Sequence, residues 1–141
     1  MQLNPRLSLA FNGQCREALA FYERSLGATI VGLFTFGNSP MAGDAPPGWA
    51  DKVMHATVAL GNTTFTASDV PPHQYERPQG FSVLLGVGDP ADAERVFQAL
   101  AENGTITWPI QETFWAVRFG ALVDQFGIPW SVNCEQAPEP R

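Results

Sequence analysis

An internal repeat constrains the fold of this chain more than any other sequence feature. Phe21 and the segment Gly27-Ala28-Thr29-Ile30 recur as Phe97 and Asn103-Gly104-Thr105-Ile106, 76 residues further on. Around both copies the pattern predicts a strand, a helix and three strands. Because one such unit leaves a sheet face unburied, we expect the two units to pair. The sequence therefore predicts an α+β fold of two paired βαβββ modules, whose curved mixed sheet surrounds a cleft.

The first module shows clear helix signals. Leu19, Tyr22 and Leu26 recur at helical spacing, and Gly27 is suited to end a helix in the left-handed conformation. A helix is therefore predicted from about Gln14 to Leu26. Strands are predicted at residues 6–11, 28–36, 53–60 and 63–68.

The second module repeats this order. Asp89-Pro90 is a strong helix start, with Asp as the cap and Pro in the first turn. Apolar residues follow at helical spacing, and Asn103-Gly104 closes the helix. Strands are predicted at residues 81–87, 105–108, 113–122 and 129–134.

The chain of 141 residues is predicted to form one domain, with 45% hydrophobic and 16% charged residues. The first module is expected at about residues 4–70 and the second at about 79–135, followed by a flexible tail at 136–141. Residues 37–51 and 69–80 are rich in proline or glycine and are predicted to be long loops. Loops of this length in a small domain are often functional.

Composition excludes several classes of partner. The chain carries 8 Lys and Arg against 14 Asp and Glu, a net charge of −6, so no nucleic-acid partner is expected. No apolar run approaches the roughly 20 residues needed to span a bilayer, and the first residues do not resemble a signal peptide. Two cysteines are too few for a disulfide framework, and a reducing cytoplasm is the expected location.

A series of short motifs, taken in order, resembles the vicinal oxygen chelate superfamily, which includes glyoxalase I, extradiol dioxygenases and the fosfomycin and bleomycin resistance proteins. The likeness is strongest to its PhnB-like branch and covers nearly the whole chain. Members commonly form homodimers, so the resemblance implies a homodimer here. The motifs are residues 11–18 leading to Phe21-Tyr22, Met54-His55-Ala56, Gly61-Asn62, Ser68-Asp69, Phe114-Trp115, Arg118-Phe119-Gly120, and Asp124-Gln125-Phe126-Gly127 before Trp130-Ser131.

The resemblance also implies a divalent metal held by His and Glu side chains, which acts on substrate as a Lewis acid. Carried over to this chain, the four ligand positions hold no His, Glu, Asp or Cys. Hydroxyl oxygens are weak ligands for Zn²⁺, Ni²⁺ or Fe²⁺, so no metal is predicted. No other cofactor is predicted, since no glycine-rich turn suggests a methyl-transfer site. The four positions are Leu7 or Ser8, Thr66, Phe81 or Ser82, and Ser131.

Two other side chains are candidates for ligand contact. Strand alternation places His55, Thr57 and Ala59 on one face, away from the more apolar side. His55 is either a general base or hydrogen-bonding group in a cavity, or a structural or dimer-interface histidine. Arg118 lies among bulky apolar residues and either binds an anionic group of a ligand or forms a structural ion pair, with Asp124 or across an interface.

The remaining candidates are weaker. Trp49, in the first long loop, is predicted to cover the cavity mouth or to pack on a partner subunit. Cys15 is interpreted as a buried small hydrophobe rather than a nucleophile, and His73 as solvated. Glu112 and Asp124 are interpreted as solvated or capping groups rather than an acid–base pair. Three further tryptophans are assigned to the core or a pocket wall: Trp108, Trp115 and Trp130.

Three functions are consistent with these residues, and the sequence leaves open whether the protein is an enzyme. We favour binding of a small molecule in the cleft without the metal of the superfamily. The alternatives are a metal-dependent lyase, isomerase or dioxygenase, and a structural module whose cleft is filled. The side chains expected to line the cleft are Ser8, His55, Thr66, Ser82, Arg118 and Ser131.

Overall fold

The computed structural model describes residues 1–40 and 42–135. It divides the chain into two compact units, Met1–Glu76 and a second that begins at Arg77. The expectation of a flexible tail at 136–141 falls outside the described residues. Within those described residues, no helix combines the length and the hydropathy needed to cross a membrane.

The first unit is a four-stranded mixed sheet with one α-helix. The strand order is β1-β4-β3-β2, with β1 parallel to β4 and the other neighbours antiparallel. The α-helix contacts β2, β3 and β4. The elements are β1 (Ser8–Phe11), α1 (Cys15–Leu26), β2 (Thr29–Thr35), β3 (Val53–Leu60) and β4 (Thr63–Asp69).

The start of α1 is capped from a distant strand. Gln14 stands at the N-cap but its side chain makes no capping hydrogen bond. Instead Cys15 N donates to Asp69 Oδ1 at 2.8 Å, and Val53 N donates to Asp69 Oδ2 at 2.9 Å. The buried Asp69 carboxylate thus joins the end of β4 to the start of α1 and to the start of β3.

The second unit repeats the architecture. The strand order is β5-β8-β7-β6, again with one parallel pair, β5 with β8. The helix α2 begins with the predicted local cap, since Asp89 Oδ1 accepts from Ala91 N at 2.7 Å. The elements are β5 (Val83–Gly86), α2 (Pro90–Leu100), β6 (Thr105–Gln111), β7 (Ala116–Val123) and β8 (Pro129–Glu135).

The βαβββ repeat is confirmed, down to local conformation. Phe21 and Phe97 are both buried, at 2% and 1% exposure, in equivalent helices. Gly27 and Asn103 both adopt the left-handed conformation that ends the helical segment, with φ of 71° and 56°. The same side-chain sizes and backbone turns therefore recur at the same points of both units.

The main difference from the predicted elements lies between β6 and β7. The structure continues β6 to Gln111 through Pro109, which is tolerated because β6 is an edge strand. The predicted start of the next strand at Thr113 was wrong. Thr113 and Ala116 form a turn instead, with Thr113 N donating to Ala116 O at 3.0 Å and Ala116 N to Thr113 Oγ1 at 3.1 Å.

Both long loops contain a short 3₁₀ turn, at Ala42–Asp44 and at Pro72–Gln74. The proline and glycine content of residues 37–51 predicts no regular structure there, so the short turn at Ala42–Asp44 differs from that prediction. Trp49 packs its ring against Phe36 in a T-shaped contact, with 5.8 Å between the ring centroids. This loop is thereby held to the end of β2.

Candidate functional site

Each sheet has one face covered by its helix and one face free of it. In β3, Ala56 and Val58 are fully buried, whereas His55 is exposed and Thr57 is half-buried. The predicted alternation of this strand is thus confirmed. We call the side of the first sheet opposite α1 the first open face, defined by Ser8, Phe34, His55, Thr57 and Thr66.

Strand register brings several predicted residues together on the first open face. Ser8 pairs with Thr66, and Thr66 pairs with Thr57, so three hydroxyl side chains form one row across the sheet. His55 pairs with Phe34, whose ring is 54% exposed. The face therefore offers hydroxyl groups, one imidazole and an aromatic surface to a ligand.

The second unit has a corresponding surface of different chemistry. Strand register places the residues of this surface in rows across β5, β8 and β7. One row is Leu84, Ser131 and Ala121, and the next is Gly86, Asn133 and Phe119. Ser82 Oγ and Ser131 Oγ lie 2.8 Å apart in a hydrogen bond. We call this surface, opposite α2, the second open face; it comprises Ser82, Leu84, Gly86, Trp108, Phe119, Ala121, Ser131 and Asn133.

Aromatic side chains form a cluster on the second open face. The ring centroids of Trp108 and Phe119 are 6.0 Å apart, and those of Trp115 and Phe119 are 5.4 Å apart. Trp108 and Trp115 are 44% and 43% exposed. These two therefore lie at the surface of the second unit, whereas Trp130 is 1% exposed and belongs to the core, one of the two places predicted for it.

Arg118 lies on the helix side of the second sheet, away from the open-face residues. Its Nε donates to Glu94 Oε1 of α2 at 3.0 Å, and its NH1 group to Val117 O at 2.7 Å. The predicted ion pair between Arg118 and Asp124 was wrong, because Arg118 pairs with Glu94 instead. Within its own unit, Arg118 therefore lies on the opposite side of the sheet from Ser82 and Ser131.

Asp124 has a different role, which matches the predicted capping. It is buried and accepts hydrogen bonds from Phe126 N at 2.8 Å and Ile128 N at 3.0 Å. Trp130 Nε1 donates to its other oxygen at 2.8 Å. This carboxylate organises the turn between β7 and β8.

The electrostatics at the start of α1 exclude a thiolate nucleophile. Burial, reinforced by the Asp69 carboxylate, raises the pKa of Cys15 to about 12. Burial also raises the pKa of Asp69, opposed by its two backbone hydrogen bonds and by Lys52. At neutral pH the Cys15 thiol is therefore protonated and serves as a small core side chain, as predicted.

Two other predicted side chains, His73 and Trp49, lie in the long loops of the first unit. His73 is exposed in the second long loop, where its Nε2 lies 3.4 Å from Gln74 Nε2. Trp49 contacts Phe36 of its own unit.

The first unit also has two concavities. One of about 540 Å³ lies by Arg6 and the β3–β4 turn and is lined in part by Ala59, on the same side of β3 as His55 and Thr57; the other, of about 300 Å³, lies by Lys52 at the start of α1.

Comparison with known proteins places this geometry in a family. A family model described as 3-demethylubiquinone-9 3-methyltransferase matches residues 5–133. Protein YjdN of Escherichia coli K12 is 36% identical over 141 residues, which covers 94% of this chain and 95% of that protein. The chain belongs to the PhnB-like family.

Solved structures agree with this assignment. Protein PA1353 of Pseudomonas aeruginosa is 44% identical, with a TM-score of 0.86 over 96% of this chain and 100% of that one. A PhnB protein from Bacillus cereus is 25% identical, with a TM-score of 0.79 over 94% and 99%. The fosfomycin resistance protein FosX of Listeria monocytogenes, 5% identical with a TM-score of 0.67 over 96% and 95%, shows the shared superfamily fold alone.

The side chains of this PhnB-like protein do not fit the divalent metal of the superfamily. The positions at which the resemblance implies metal ligands hold Leu7 or Ser8 and Thr66 in the first unit, and Phe81 or Ser82 and Ser131 in the second. None of these residues is His, Glu, Asp or Cys, and within residues 1–40 and 42–135 no group of three or more His, Cys, Asp or Glu could hold a metal ion. Transition metals bind imidazole, thiolate and carboxylate far better than neutral hydroxyls.

Sequence reasoning missed two residues that the structure makes prominent. Asn133 lies on the second open face, and its Oδ1 is buried without a hydrogen-bond partner. The signal was present, since Trp130, Val132 and Cys134 alternate as buried residues and leave Ser131 and Asn133 on the other side. The second is Glu94, the partner of Arg118, which lies 24 residues away in the sequence.

Proposed function

We propose that this PhnB-like protein binds a small molecule on the open faces of its sheets, without a divalent metal. The observation that carries the proposal is the hydroxyl pair of Ser82 and Ser131, whose oxygens lie 2.8 Å apart, at or next to two positions where the resemblance implies metal ligands. One of the two hydroxyls donates to the other, and the second O–H group is left to donate to a further acceptor. The two hydroxyls supply no negative charge to offset the desolvation of a cation.

The first open face supports the same proposal. Ser8 and Thr66, at or next to the other two such positions, pair across parallel strands and add two further hydroxyls. His55 is exposed beside Phe34, so its imidazole can donate or accept a hydrogen bond with a bound molecule. Polar groups of this kind orient a bound ligand, while the exposed Phe34 side chain contributes apolar contact area.

The first experiment separates metal-free binding from metal-dependent catalysis. We expect protein purified without added metal to hold far less than one equivalent of Ni²⁺, Zn²⁺ or Fe²⁺ by elemental analysis. Compounds that raise the melting temperature in a thermal-shift screen should do so equally with and without EDTA. One retained equivalent of metal, lost together with the ligand-induced shift on EDTA treatment, would favour the metal-dependent lyase, isomerase or dioxygenase instead.

The second experiment addresses His55 with a matched histidine control. His55→Ala should weaken the binding of any compound found in the screen, whereas His73→Ala, in the exposed second loop, should leave it unchanged. Equal affinities for both variants and the wild type would remove His55 from the site. A screen in which no compound shifts the melting temperature would favour a structural or interaction module.

The proposal includes a homodimer and a cytoplasmic location. The homodimer rests on the superfamily, whose members commonly dimerise, and light scattering after size exclusion tests it directly. The location rests on two cysteines that are both free and buried, in keeping with a reducing compartment. Recovery of the native protein from an extracytoplasmic fraction would contradict it.

A further inference from the structure

A buried hydrogen-bond acceptor without a partner lies on the second open face. Asn133 Oδ1 is shielded from water and accepts no hydrogen bond from the described residues. Buried polar atoms are nearly always paired, because an unpaired one forfeits its hydration without compensation. The neighbouring buried polar groups do follow this rule, since Ser131 pairs with Ser82. Asn133 is therefore an exception that calls for a donor from outside the chain.

The surroundings of Asn133 leave room for such a donor. Its register partner on β5 is Gly86, where an added Cβ would meet no atom within 4 Å. The next row along the sheet contains Ser131 between the small Ala121 and the exposed Leu84. Gly86, Ser131 and Ala121 thus form a floor of small residues beside the unpaired oxygen, with Leu84 at its edge.

Aromatic rings stand at the side of this floor. Phe119 is the register partner of Asn133 on β7, and the rings of Trp108 and Trp115 contact it edge-on, at interplanar angles of 81° and 64°. Both tryptophans are more than two-fifths exposed. Exposed ring surface of this kind stacks favourably with another aromatic ring.

We propose that the second open face binds a neutral, planar aromatic molecule that donates an N–H or O–H hydrogen bond to Asn133 Oδ1. The inference rests on the proposed function and narrows it to one class of ligand. The eight residues that define the second open face include no Lys, Arg, Asp or Glu side chain, and Glu135, two residues beyond Asn133, is exposed to water at the end of β8. Among those eight residues a charged ligand would lose hydration without meeting an opposite charge, so a neutral ligand is favoured.

The test compares two probes that differ in the donor. Indole carries an N–H group and 1-methylindole does not, and both are neutral and planar. By calorimetric titration we expect the wild type to bind indole at least about fivefold more tightly, the range for a hydrogen bond to an otherwise unpaired acceptor. Asn133→Leu should abolish this preference, and Trp108→Ala should weaken both probes.

Gln98→Leu is the matched control, because Gln98 is an exposed amide on α2, away from the second open face. It should keep the full preference for indole. A preference that survives in Asn133→Leu would reflect the size of the methyl group and overturn the inference. Equal binding of the two probes by the wild type, or no binding of either, would also overturn it. The proposed function falls as well only if the thermal-shift screen finds no binder of any class.

Discussion

Removing the Asp69 carboxylate should destabilise the protein more than removing an ordinary helix cap. Asp69 is 4% exposed and accepts from Cys15 N and Val53 N. In Asp69→Ala both N–H groups stay buried without an acceptor. At about 1–3 kcal/mol for each unpaired buried donor, the expected loss is about 2–6 kcal/mol in the free energy of unfolding.

Asp89→Ala provides the matched comparison. Asp89 caps α2 through Ala91 N and Asp92 N, at 2.7 and 3.4 Å, but in an exposed position where water replaces the lost acceptor. Its loss should cost about 0.5–2 kcal/mol, the usual range for an N-cap. Both variants differ from the wild type by the same chemical change, so the difference between them reports burial.

Urea denaturation followed by far-UV circular dichroism measures both losses. Asp69→Asn is the intermediate variant: its amide oxygen can accept from Cys15 N, but its NH₂ group faces a second donor, Val53 N. We expect the order of stability to be wild type, Asn, Ala at position 69. If Asp69→Ala loses no more than Asp89→Ala, the distant cap does not stabilise α1 as argued here.

Three further predictions concern His55, two glycines, and the pH dependence of stability. His55→Ala should change the melting temperature by only a few degrees while weakening ligand binding, because His55 is exposed; a large thermal shift would make its role structural. Gly120→Ala should lose about 1–3 kcal/mol in urea denaturation, because its Cβ would lie 2.7 Å from Phe97 Cε2, whereas Gly86→Ala should fold as well as the wild type. Burial raises the pKa of Asp69 in the folded state, so the folded protein holds this proton more tightly than the unfolded chain does. The free energy of unfolding of the wild type, measured relative to Asp69→Asn, should therefore decline as pH rises from about 4, the usual carboxyl pKa, through the raised pKa. An increase over this range would mean that the pKa of Asp69 is lowered in the folded state.

The fold could be predicted because its signals are local. Helical spacing, the left-handed residue at Gly27 and the Asp89-Pro90 start each act within a few residues of the element they define. The cap of α1 could not be predicted in this way, since Asp69 lies 54 residues from Cys15. The Ser68-Asp69 motif was recognised in the sequence. Nothing in the sequence around Asp69, however, indicates that its carboxylate at the end of β4 caps the start of α1.

The residues of the open faces were partly predictable from the sequence, and a comparison of β3 with β7 shows why. In β3, one side is buried and the other polar, so alternation assigned His55 to the open side. In β7, both sides are apolar: Leu122 is buried toward the helix, and Phe119 joins the aromatic cluster opposite. Alternation there gives two equivalent faces, and only the contact with Glu94 shows that Arg118 lies on the helix side.

A comparison of the two repeated units explains why the fold was easier to predict from the sequence than the residues of the open faces. Positions that pack a helix on a sheet are held alike in both units, as Phe21 and Phe97 show, because any change of volume in a close-packed core is costly. The open faces have no such constraint and have diverged, to hydroxyls with His55 in one sheet and to an aromatic cluster with Asn133 in the other. A surface that keeps a buried, unpaired oxygen against the cost of burial has a reason to keep it, and a hydrogen-bonding ligand supplies that reason.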